Sequence, residues 1–98
     1  HVHAFPDRVL FALWRWFERH GWPIRYQLLA PEIVRFQLDR GVGRVVLLCY
    51  AHKPELARPF NAFLGELAAA EPRAVPLGTV HPTDPEAAAR TLAFPATS

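Results

Sequence analysis

The sequence predicts an α/β fold built on a parallel sheet, and three observations carry that prediction. Helix-like and strand-like patterns alternate along the chain. The run Val45-Val46-Leu47-Leu48-Cys49-Tyr50-Ala51 is apolar throughout instead of alternating with polar residues, which is the pattern of a strand buried on both faces. Each helical pattern is closed by glycine or proline: Gly21 with Pro23, Gly41 with Gly43, and Pro72.

His1-Val2-His3 reads as the tip of a first strand. Pro6-Asp7 then opens a helix over 8–20, in which Val9, Leu10, Leu13, Trp14, Trp16 and Phe17 mark a broad apolar face at three- and four-residue spacings. Asp7 lies at the positive end of that helix, and His20 at the negative end. An irregular stretch over 22–30 leads to a second helix opened by Pro31-Glu32 and carrying Ile33, Val34 and Leu38. After the strand at 45–51, a third helix carries Leu56, Phe60, Phe63, Leu64 and Leu67 on one side. Pro59 belongs in its first turn, because proline in a helix interior removes a hydrogen bond and clashes with the preceding turn. A weaker strand is expected over 74–80, with Pro76 near its start or on an edge since it offers no ladder donor. Thr83-Asp84-Pro85-Glu86 combines a capping side chain, a first-turn proline and an acid at the dipole, and predicts a helix continuing over 87–92.

Composition limits what the chain does. It is one small domain of 98 residues, 51% hydrophobic and 20% charged, so it has enough apolar surface to offset chain entropy and is not a disordered tail. The longest apolar run is the seven residues of 45–51, against the roughly 18 a membrane helix needs, and no secretory leader pattern is present. No membrane partner is expected. Cys49 is the single cysteine, which excludes an internal disulfide and points to a reducing, cytoplasmic compartment. The net charge of +2 comes from basic residues scattered among acids, without the patch or stripe of a nucleic-acid footprint, so no nucleic-acid partner is expected. The chain starts at His1 without methionine and ends just after a helix opens, and it is read as a segment of a longer protein.

The chemistry-bearing residues are histidines. His1 and His3 bracket one residue, so on an extended segment both side chains point to the same face. His52 and His81 fall just after the second and third strands, and parallel α/β folds bind ligands at the carboxyl ends of strands. Blander readings stand beside these. Two imidazoles fall short of the three or four ligands of a zinc site, His52 suits an ordinary loop, and His81 a local turn hydrogen bond. Trp14, Trp16 and Trp22 read as core and helix-packing residues, and Cys49 as an inert buried thiol.

His1-Val2-His3-Ala4-Phe5-Pro6 resembles the His-x-His-x-Phe-Pro opening of the amidohydrolase superfamily, in its amidohydrolase-related branch. The order of later segments is similar to that branch too: His20-Gly21-Trp22-Pro23-Ile24, Leu38-Asp39-Arg40-Gly41-Val42, Tyr50-Ala51-His52-Lys53-Pro54 and Gly78-Thr79-Val80-His81-Pro82. The resemblance implies that residues 1–98 are the first three βα units of a (β/α)8 barrel, a partial domain, since a whole barrel needs about 250 residues. It implies a metal-dependent hydrolase in which His1 and His3 bind a divalent metal, zinc first among them. A metal-activated water then hydrolyses a small carbonyl substrate, which some members decarboxylate instead. His52 and His81 would line the substrate pocket. The catalytic general base, an aspartate on a late strand, has no counterpart here. Pro59 also departs from the usual uninterrupted helix of that branch.

The isolated chain is expected to be inactive, with an uncovered strand edge and barrel-facing side chains. The alternative is a non-catalytic α/β fragment or small domain that associates through its exposed faces, and self-association into a homo-oligomer is compatible with either reading.

Overall fold

The structure, a computed structural model, describes residues 1–87 and Ala89. Strand β1 (Val2–His3) is followed by helices α1 (Asp7–Arg19) and α2 (Ala30–Asp39), then by strand β2 (Val45–Leu48). A 3-10 turn (Pro54–Leu56) runs into α3 (Ala57–Ala70), and β3 (Ala74–Pro76) closes the sheet. The strands lie side by side in the order β1-β2-β3, both pairs parallel, with Val2 opposite Leu47 and Val45 opposite Ala74. The chain is therefore a small α/β domain of βα units. Among the described residues no helix is long and apolar enough to cross a membrane.

Local chemistry sets the helix ends where the sequence placed its punctuation. Asp7 sits in the first turn of α1, where the Pro6 carbonyl accepts the Val9 and Leu10 amides at 3.0 and 3.1 Å. At its other end Gly21 takes φ +78°, the Trp22 N–H donates to the Phe17 carbonyl at 3.0 Å, and the Gly21 N–H to the Glu18 carbonyl at 3.3 Å. This is a Schellman closure. Helix α2 ends in the same way, with Gly41 at φ +91° and bonds from Val42 to Gln37 and from Gly41 to Leu38. At its start the Glu32 carboxylate reaches back to accept the Leu29 N–H at 3.0 Å. Pro59 is the third residue of α3, where its missing N–H costs no internal bond. Replacing Gly41 by alanine should cost about 1 kcal/mol in urea unfolding, because an L side chain at positive φ is strained. No atom lies within 4 Å of the added Cβ, so the loss would be conformational rather than steric. An unchanged midpoint would show that the turn relaxes freely.

The second strand departs from expectation in two ways. It spans Val45–Leu48 rather than 45–51, and only one of its faces is buried. Val45, Leu47 and Cys49 lie under the helices at 2%, 0% and 4% exposure, while Val46 and Leu48 are half-buried and Tyr50 is 49% exposed. The length has a backbone cause. On one side β1 leaves after the Ala4 amide bonds the Leu48 carbonyl at 2.8 Å, since Pro6 turns the chain into α1. On the other, the last bond recorded between β2 and β3 backbones runs from the Leu77 amide to the Leu47 carbonyl at 2.9 Å. Pro76 precedes that donor, so its nitrogen faces away from β2, at the outer edge. β3 is accordingly shorter than the predicted 74–80.

The core is one cluster in which Val45, Leu47, Cys49 and Ala74 of the sheet meet Leu10 of α1, Val34 of α2 and Phe60 and Leu64 of α3, with Ala4, Phe5 and Ala30. Trp14 packs against it, but Trp16 and Trp22 are 53% and 74% exposed and are not core residues. Trp16 instead stacks on His20, ring centroids 4.0 Å apart, and the His20 Nδ1–H donates to the Trp16 carbonyl at 2.7 Å. At the far end of the described chain the Asp84 carboxylate accepts the Glu86 amide at 2.9 Å and Ala87 is helical, as the capping pattern predicts. Most of the helix expected over 87–92 lies outside the described residues.

Candidate functional site

Because the three strands are parallel, their carboxyl ends open on one side of the sheet, where successive loops converge. His3 is the last residue of β1 and stands opposite Leu48, so it shares the open face with Leu48 rather than the helix-covered face of Val2 and Leu47. His1 and His3 are both exposed, with ring centroids 5.8 Å apart at an interplanar angle of 30°.

A chain of edge-to-face rings links the core to His3. Phe60 of α3 meets Phe5 at 5.8 Å, Phe5 meets Tyr50 at 5.1 Å, and Tyr50 meets the His3 ring at 5.9 Å and 80°. Phe5 and Phe60 are almost fully buried. Among the described residues the His3 ring nitrogens have no hydrogen-bond partner, so the contacts that orient this exposed ring are these aromatic ones.

His81 is held differently. The Thr83 amide donates to His81 Nδ1 at 3.2 Å, with the Thr83 hydroxyl 2.9 Å from the same nitrogen. An Nδ1 that accepts carries no proton, so the neutral ring is the Nε2–H tautomer and presents a donor. The local turn bond thus occupies Nδ1 and leaves Nε2–H as the second polar group of the ring. His52 is exposed, with its ring 6.4 Å from Phe60. It lines an open groove of about 980 Å³ that runs along α1 past Trp14 and Trp16 to Lys53 and Leu56. No ring contact joins His52 or His81 to His1 or His3. The strand ends therefore hold three separate imidazole environments.

Two side chains absent from the sequence-level candidates belong to this region. Tyr50 orients His3, and Asn61 of α3 accepts the Thr79 amide on Oδ1 at 2.8 Å while donating from Nδ2 to the Thr79 carbonyl at 3.0 Å. Asn61 was legible as the single polar residue on a buried stripe of Ala57, Phe60 and Leu64 at helical spacing. Tyr50 lay hidden in an apolar run whose second face was expected to be covered.

As a metal half-site, His1 and His3 fit in type, face and separation. Among the described residues, however, no group of three or more His, Cys, Asp or Glu side chains comes together, so the pair supplies two donors and no third. Cys49 is no nucleophile, since burial pushes its thiol up to about 12. Glu71 and Arg73 lie at the opposite, amino end of β3. There the Arg73 side chain and then its backbone amide hold the Glu71 carboxyl below the ordinary carboxylate value.

Fold and site together define a small three-stranded parallel α/β domain that gathers imidazole and aromatic side chains at the carboxyl ends of its strands. The chain matches no family model, no curated protein and no solved structure.

Proposed function

We propose that this chain is the first part of a metal-dependent hydrolase of the amidohydrolase type, its βα units the opening of a (β/α)8 barrel. The observation that carries the reading is the His1–His3 pair. Two imidazoles share one face at the end of the first strand, 5.8 Å between rings, and the nitrogens of His3 are unencumbered. In this reading His1 and His3 hold a divalent ion, zinc by its preference for imidazole, with the remaining ligands and the general base supplied from outside these residues. When bound, such an ion polarises a carbonyl and acidifies a water. The chain's own contribution is positional. Tyr50 and Phe5 hold the His3 ring, and His81 offers its Nε2–H to an oxygen of a small carbonyl substrate, while His52 borders the approach along α1. Hydrolysis and decarboxylation both use this arrangement.

The test is titration of the Nα-acetylated chain with Co(II) and Zn(II), acetylation removing the terminal amine as a competing ligand. One ion per chain is expected, with affinity falling at least roughly tenfold in His1→Ala and in His3→Ala and little changed in His20→Ala. Equal affinity in all four proteins would overturn the reading. The second reading, a non-catalytic associating domain, is favoured by the half-exposed apolar face of Val46, Leu48 and Tyr50. It requires sedimentation that depends on protein concentration and is indifferent to metal.

A further inference from the structure

Beyond Leu47 and Leu77 no backbone bond is recorded between β2 and β3, yet both strand ends are tied to the helix layer through one buried side chain. Asn61 is 7% exposed and lies on the stripe of α3 that packs into the core. Burying an amide there is unfavourable unless both halves find partners. They do, on a single residue: the Thr79 amide and carbonyl, at 2.8 and 3.0 Å, are paired as a neighbouring strand would pair them. Thr79 passes the connection on, its Oγ1 accepting the Ala51 amide at 3.1 Å across 28 residues of chain. His52 follows Ala51 directly, and His81 comes two residues after Thr79.

We propose that Asn61 is a positioning residue that, through Thr79, sets the loops carrying His52 and His81 against the helix layer. Its importance for function rests on the reading above of the strand ends as the reacting side. A continued ladder would satisfy the same backbone groups with the strands at ladder spacing. The side-chain route lets the strand ends part after Leu47 and Leu77 while still holding them in register. Asn61 is thus the shared anchor of two loops that make no recorded backbone bond to each other.

The experiment compares Thr79→Val, which keeps the shape and drops the hydroxyl, with Thr79→Ser, which keeps it, alongside Asn61→Asp. It reads amide hydrogen exchange and the imidazole ring resonances of His52 and His81 in the chain without metal or substrate. Thr79→Val should speed exchange at Ala51 by roughly tenfold and shift the His52 ring, with Leu47 and Leu64 amides unchanged. Thr79→Ser should restore both. Asn61→Asp removes the donor to the Thr79 carbonyl and should shift both histidines. Ring resonances that stay put while the melting temperature falls would overturn the proposal, leaving Asn61 a core-satisfying amide only. So would failure of serine to restore the signal. If Asn61→Asp does not fold, the Thr79 pair decides alone. Because no metal enters the measurement, absence of metal binding at His1 and His3 leaves this outcome untouched.

Discussion

At pH 8, iodoacetamide should modify Cys49 in the folded chain roughly a thousandfold more slowly than in the urea-unfolded chain, because only the thiolate reacts. The thiol is 4% exposed and burial raises it to about 12, against 9.0 for the free group. The direction of the linked stability follows. A group whose folded pKa lies above its unfolded value contributes fully below the unfolded value and loses that contribution as pH rises through the folded one. The fold should therefore weaken between about pH 9 and about pH 12 as the unfolded thiol ionises. Mass spectrometry of timed alkylation at rising urea checks the first statement. Equal rates in water and in urea would mean that β2 opens on the timescale of the reaction.

Leu64→Ala should remove about 2–5 kcal/mol, a large fraction of the stability of a domain of this size, since the side chain is fully buried in the core cluster. Leu48→Ala on the partly covered face of β2 should cost less, about 1–2 kcal/mol, because that leucine is only partly buried. The contrast matters more than either value. Both residues are leucines that the amino-acid pattern cannot tell apart, and only the one-sided cover of the sheet separates them. Urea denaturation of the two variants measures the ratio. Equal losses would show that the open face is covered in solution, as self-association through it would require.

Much of the architecture was legible because it rests on local chemistry. Gly21 and Gly41 end their helices by accepting a positive φ, Asp84 caps with its carboxylate, and Pro59 enters only at a first turn. Such signals act within a few residues, so they can be read in order along the chain. Reading the run 45–51 as a strand was sound in kind but too generous in length and in burial. Apolar character reports what a segment tolerates, whereas strand length depends on where its neighbours stop offering backbone partners. Here Pro6 and Pro76 help to limit them. Trp16 misled for a related reason, as helical spacing marks a face without saying that anything lies against it.

The candidate site divides along the same line. That His1 and His3 share a face follows from strand geometry alone, and the βα order places both at a carboxyl end. Which rings hold His3, which nitrogen of His81 is free, and that His52 turns to the groove along α1 depend on contacts between residues far apart in the chain. Asn61 and Thr79 meet across 18 residues and Thr79 and Ala51 across 28. Sequence by itself determined the parallel α/β order, the helix ends and the paired histidines, because these follow from backbone preference and periodicity. The tertiary structure alone decided the uncovered sheet face, the ring contacts around His3 and the Asn61 anchor, because each is a matter of which distant groups remain to satisfy a buried polar atom or cover an apolar one.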